Sequence, residues 1–229
     1  MSQLTFNGQI QLILGNMFSG KTSELLRRYR RYKIAGKSCI LIKYKGDVRY
    51  DDKMIVTHDG AKIEAKVLTC QLLSEINSNI IHYDVICIDE IQFYKDAHIF
   101  CDLWANKGKF IIASGLSGTF NRTPFPIISR LIPLAESVDV LNAICVPTAK
   151  EASFTKLTIE NTTGGTEIIG GAEMYIPVDR KTFFVTDADK QKYLDTIINN
   201  FVELKNCHDN NDKINDIKQK VINGNFDEI

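Results

Sequence analysis

This sequence lacks several features that would decide its class at once. No stretch approaches the ~18 consecutive apolar residues that a membrane-spanning helix needs, which argues against a membrane partner. The opening residues are polar and the first apolar run is short, so no signal peptide is expected. Lys and Arg total 28 and so do Asp and Glu. With no net charge, a nucleic-acid partner is not expected. The basic run Arg27-Arg28-Tyr29-Arg30-Arg31 falls on a predicted helix and reads as a solvated face or a subunit contact. Six cysteines are scattered without a Cys-x-x-Cys pair, and Cys39 and Cys87 sit inside apolar runs. That usage fits a reducing, cytoplasmic setting and excludes a disulfide scaffold.

What the sequence does have is Gly15-Asn16-Met17-Phe18-Ser19-Gly20-Lys21-Thr22. Two glycines five apart, followed by Lys and Thr, stand between an apolar run from Ile10 to Leu14 and a charged helical pattern. Strand, glycine loop and helix form the context in which this pattern binds phosphate. The loop's N–H groups cradle phosphate oxygens and the helix N-terminus adds partial positive charge. Lys21 would neutralise β and γ phosphates, and the Thr22 hydroxyl would hold Mg²⁺.

Further strands are expected at 39–43, 63–68, 84–89, 110–113 and 138–144, with helices at 20–35, 71–77, 96–106 and 127–134. Their apolar middles mark strands buried on both faces. Alternation of such strands with helices predicts an α/β fold, a parallel sheet flanked by helices. Ligands would bind at the strands' carboxyl ends. Residues 44–60 read as a long functional loop, and Ser114 to Thr119 as a glycine-rich one. After Pro147 a small β-rich appendage follows, with strands at 154–160 and 166–169 and an extended piece at 175–185. From Thr186 the chain turns polar, with apolar spacing at Leu194, Ile197, Ile198 and Phe201. This tail is either a solvated extension or a regulatory or oligomer-contact helix. The division expected is 1–144, 145–185 and 186–229.

Asp89 ends a buried strand, where an acid supports Mg²⁺ beside a phosphate loop. Glu90 follows, its carboxylate directed elsewhere by side-chain alternation. Asn106-Lys107-Gly108-Lys109 lacks the Asp of a guanine-reading motif, which counts against a GTPase.

Together these residues make the chain resemble the thymidine kinases of the cellular and poxviral type over residues 7–178. The phosphate loop is joined by Ile42-Lys43-Tyr44, Asp47-Val48-Arg49-Tyr50, Thr57-His58-Asp59, Ile88-Asp89-Glu90-Ile91-Gln92-Phe93, Gly118-Thr119-Phe120, Pro133 to Ser137 and Ile169 to Ala172. The resemblance implies a P-loop sheet with a β lasso, and phosphorylation of the thymidine 5′-hydroxyl by Mg-ATP to give dTMP for DNA-precursor salvage. Deoxyuridine is a second candidate acceptor. Glu90 is implied as general base, with Lys21 and Arg49 as catalytic cations. Nucleotide contacts fall to Gly15 through Thr22, Asp47, Arg49, Asp89 and Gln92, and Mg²⁺ to Thr22 and Asp89. The thymine slot is implied at Met17, Phe93, Leu116, Phe120, Phe125 and Tyr175, with Thr155 and the segment Thr166, Glu167, Ile168, Ile169 and Gly170 reading the base. A homotetramer and feedback inhibition by dTTP are implied in the same way. His58 is matched but reads as a hydrogen-bonded loop residue.

One departure is sharp. The family usually staples its appendage with zinc through two Cys-x-x-Cys pairs. Here the four matched positions are Cys145, Thr148, Asp179 and Thr182. Structural zinc takes four Cys or His ligands, so no structural zinc is expected, and packing and ligand must hold the appendage.

Overall fold

A computed structural model describes residues 8–46, 55–56, 62–63, 65–158, 174–184, 191, 194–195 and 198. The chain divides into two compact units, Met1–Arg180 and Lys181–Ile229. In the second unit the described positions Gln191, Leu194, Asp195 and Ile198 are helical. Of the four apolar positions expected on a helix there, Leu194 and Ile198 are described and helical, and Ile197 and Phe201 lie outside the described residues; Gln191 donates to Asp195 at 3.0 Å.

The first unit opens with β1 (Gln9–Gly15), followed by α1 (Lys21–Ile34) and β2 (Cys39–Tyr44). A two-residue pair, β3 (Ile55–Val56) and β4 (Lys62–Ile63), comes next, then β5 (Val67–Cys70) and β6 (Val85–Ile88). After α2 (Ala97–Asn106) come β7 (Phe110–Leu116), α3 (Pro126–Leu131) and β8 (Ser137–Leu141). The main sheet runs β5-β2-β6-β7-β1-β8. Every pairing in it is parallel.

The apolar strands are continuous because both faces are covered. One face carries Leu12, Leu14, Ile40, Ile86 and Ile88, packed with Cys101 and Trp104 of α2 and Ile128 and Leu131 of α3. The other carries Ile13, Leu41, Cys87 and Ile112 under Leu25, Leu26 and Tyr29 of α1. Trp104 satisfies its buried indole N–H on Asn77 at 2.8 Å.

Several boundaries move. The strand expected at 63–68 splits, since Ile63 pairs with Ile55 and the sheet strand is Val67–Cys70. β7 runs three residues past the expected end at Ala113, because Ser114, Gly115 and Leu116 pair with Ile13, Leu14 and Gly15 of β1. Pairing partners outweigh the poor strand propensity of Ser and Gly here. The helix expected at 127–134 is α3 followed by a 3-10 turn at Ile132–Leu134. The segment expected as helix at 71–77 contains a 3-10 helix at Leu73–Ile76.

The appendage begins with β9 (Ala143–Ile144) and β10 (Glu151–Ala152), which pair with each other. Then β11 (Phe154–Leu157) pairs antiparallel with β12 (Tyr175–Val178). The extended piece expected at 175–185 ends early, giving way to α4 (Arg180–Phe183). The strand expected at 166–169 lies outside the described residues.

Candidate active site

The geometry starts where β1 ends. Gly15 carries no side chain because Leu141 O would lie 2.4 Å and Ser19 Oγ 2.6 Å from a Cβ there. The loop then turns through Phe18 at φ +65° and Gly20 at φ +80°. Gly20 is the N-cap of α1, and no side chain caps that helix end. Its first N–H groups face the loop, the arrangement that favours an anion. Lys21 reaches back to donate to Asn16 O at 2.7 Å, and Ser19 Oγ donates to the same oxygen at 2.9 Å.

Two strands away, β6 delivers the acids. Thr22 Oγ1 lies 3.2 Å from Asp89 Oδ2. Ser114 Oγ, on β7, donates to Asp89 Oδ1 at 2.5 Å. Ile88 pairs with Ala113, so Asp89, just past the end of β6, follows beside Ser114 within β7. Burial pushes the Asp89 carboxyl up, to about 6, and the Glu90 charge adds to the rise. The Ser114 hydroxyl, the Lys21 charge and the Thr22 hydroxyl pull it down. A buried carboxylate between two hydroxyls, carrying more negative charge than its surroundings neutralise, is an all-oxygen donor set that fits a hard divalent cation.

Glu90 turns sharply away, with φ +53° and ψ +46°. A left-handed residue with a side chain costs roughly 1–2 kcal/mol, and such strain gathers at functional sites. This left-handed turn, where the sequence suggested strand alternation, sets the direction in which Glu90 leaves the strand. Gln92 Nε2 donates to Glu90 Oε2 at 2.6 Å, and Gln92 Oε1 accepts from Leu116 N at 3.1 Å.

A glycine loop of this spacing beside a strand-end acid does not by itself name a family; likeness to known proteins does. Residues 8–183 match the thymidine kinase family model. The chain belongs to the thymidine kinase family. The vaccinia virus (strain Western Reserve) thymidine kinase is 48% identical over 176 residues, covering 77% of this chain and 97% of that protein. Human cytosolic thymidine kinase is 46% identical over 177 residues, 77% of this chain and 74% of the human one. Thymidine kinase 1 of Dictyostelium discoideum is 43% identical over 177 residues, 76% of each chain.

Against that family's expected site, Met17, Asn16 and the appendage come together. Asn16 Nδ2 donates to Phe154 O at 3.2 Å, while Asn16 Oδ1 accepts from Ala143 N at 3.2 Å. Met17 N donates to Thr155 Oγ1 at 3.0 Å. Thus β11 is bonded directly to the phosphate loop. Phe120 and Tyr175 rings lie 6.2 Å apart. Phe125 and Tyr175 are buried. Phe93 packs on Tyr44 with ring centroids 5.2 Å apart. Leu116 closes β7 next to Gln92. Asp47, Arg49, His58 and Thr166 through Gly170 lie outside the described residues.

The sequence reading missed Ser114, assigned to a loop rather than to β7. It also missed Arg122 and Arg180, whose guanidinium carbons each lie 5.0 Å from the Phe154 ring centroid. At the positions matched to the family's zinc ligands, Thr148 Oγ1 donates to Asp179 Oδ2 at 2.7 Å. Cys145 is buried, and its backbone closes a tight turn by accepting from Ala149 N at 2.8 Å and donating to Lys150 O at 2.8 Å. A hydroxyl–carboxylate bond therefore ties the Cys145–Lys150 turn to the end of β12.

Proposed function

We propose that this protein transfers the γ-phosphoryl group of ATP to the 5′-hydroxyl of thymidine, releasing ADP and dTMP. Family membership supports the reaction. The observation that carries the site assignment is the meeting of Thr22, Asp89 and Ser114 at the mouth of the phosphate loop, with Glu90 turned aside next to them.

The loop N–H groups bind and orient the ATP phosphates, and Lys21 places its positive charge on the β and γ groups. Thr22 and Asp89 would hold Mg²⁺. When bound there, Mg²⁺ neutralises charge on the phosphates. Glu90 accepts the proton of the 5′-hydroxyl as that oxygen bonds to the γ phosphorus and the bond to the β,γ-bridging oxygen breaks. A base so placed contributes ~10²–10⁴-fold. Arg49 belongs to the same proposal as a second cation at the transferring group, and Asp47 as a nucleotide-side residue.

Thymine is placed among Met17, Phe93, Leu116, Phe120, Phe125 and Tyr175, a flat slot for a flat base carrying one methyl. Thr155 and the backbone of Thr166 to Gly170 read its edge. Residues 145–185 form the closing subdomain, which excludes water as a competing acceptor. Among the described residues no helix is long and apolar enough to cross a membrane. We infer cytoplasmic residence, a homotetramer and dTTP feedback from the family. The sheet edge at β8, with Val138 and Val140 exposed, supports a contact between copies. Phosphoryl transfer from ATP to a panel of nucleosides tests the assignment, and equal rates on purine nucleosides would contradict it.

A further inference from the structure

Gln92 is only 7% exposed, yet its amide faces two polar groups. A backbone N–H can only donate, so Leu116 N fixes which half of the amide is oxygen. With Oε1 held there at 3.1 Å, Nε2 must face Glu90 Oε2, 2.6 Å away. The neighbourhood keeps this orientation. A Cβ on Gly115 would lie 2.8 Å from Gln92 Oε1 and 2.7 Å from Ile91 Cγ2, so a glycine leaves the amide its room. Glu90 sits on a left-handed turn immediately before the 3-10 helix Ile91–Phe93, so its backbone and its side chain are fixed by the same short element.

We propose that Gln92 is a positioning residue: it holds the Glu90 carboxylate on the acceptor hydroxyl through an amide clamped by the end of β7, rather than contacting nucleotide. The inference rests on Glu90 being the base. A charge-assisted N–H···O bond of this length fixes one carboxylate oxygen and leaves the other to take the proton. Misplacing a catalytic group by about 1 Å can cost ~10²-fold in rate.

The test is a double-mutant cycle of Gln92→Met and Glu90→Gln on the full chain, with kcat and both KM values measured by ADP release. Gln92→Met alone should lower kcat ~10–100-fold with both KM values within about twofold. In the Glu90→Gln background Gln92→Met should have no further effect, because its target is gone. A multiplicative loss in the double variant would mean a purely structural role and overturns the proposal. A rise in KM for ATP with kcat retained would return Gln92 to nucleotide binding and also overturns it. Unchanged kcat in Glu90→Gln would instead overturn the base assignment on which the inference rests. If Gln92→Met does not fold, Gly115→Ala displaces the same amide from behind. It should lower kcat with KM held, and full activity in a folded Gly115→Ala protein counts against the proposal.

Discussion

Replacing Thr148 by Val should loosen the appendage and leave the main sheet unchanged. Val keeps the volume and β-branching but deletes the donor that bonds Asp179 at 2.7 Å. Hydrogen bonds to charged groups contribute about 1.5–3 kcal/mol. Both partners are half-exposed, so water can replace part of the bond, and about 1 kcal/mol is the working figure. Elements joined to the core by few contacts open locally before the whole domain unfolds. The loss should therefore show as roughly fivefold faster amide exchange in β11 and β12, since 1.4 kcal/mol is tenfold in an equilibrium. Exchange in β1, β6 and β7 should not change. Thymidine KM should rise by a similar factor if the strands must close to bind. The same reasoning requires that a chelator leave the wild-type exchange pattern and melting temperature alone. One zinc per chain in metal analysis, or chelator-induced loss of protection in β11 and β12, refutes it.

Other outcomes follow from the same geometry. Lys21→Ala should lower kcat by ~10² or more in a folded protein, the size expected for a charge aimed at a transferring phosphate, as measured by steady-state kinetics. Thr155→Val should leave Met17 N without its acceptor; a lost partner of this kind costs about 1–3 kcal/mol, detectable by urea unfolding. Glu24→Gln carries a pH signature. Two hydrogen bonds from Arg27, with one from Arg28, hold the Glu24 carboxyl down at about 2, against an ordinary value of 4.5. A depressed acid stabilises above its unfolded value and loses that contribution as pH falls through the folded one. Arg27 is exposed and the Arg28–Glu24 pair only half-buried, so Glu24→Gln should cost about 1 kcal/mol at pH 7. The difference from wild type should shrink below pH 4.5 and vanish near pH 2 in urea titrations.

Much of this architecture is legible in the residues. The order of strand, Gly15–Thr22 loop and charged helix announced the β1–loop–α1 unit that the fold contains, and continuous apolar runs such as Val85–Ile88 announced a sheet covered on both faces. Asp89 at a strand end was readable because a carboxylate following four buried apolar residues has few other uses. What escaped were relations set by pairing across the sheet. Ser114 meets Asp89 only because β7 lies beside β6, and its Ala-Ser-Gly composition hides a strand that β1 stabilises. The left-handed turn at Glu90 has no glycine or asparagine to signal it. The bonds from Asn16 and Met17 to β11 join residues 138 positions apart, a separation at which no local pattern operates. The Thr148–Asp179 bond was hidden for a different reason. The spacing of cysteines is legible in the chain, whereas this bond depends on which side chains the two hairpins bring into reach.

The central claim is that Glu90 takes the proton of a nucleoside hydroxyl as a phosphoryl group arrives from the loop at Gly15–Thr22. Single-turnover transfer from γ-labelled ATP to thymidine, wild type against Glu90→Gln, tests it most directly. The account predicts labelled dTMP from the wild type and a rate lower by ~10²–10⁴-fold in the variant, with ATP binding retained. Labelled dTMP formed at the wild-type rate by Glu90→Gln would contradict it.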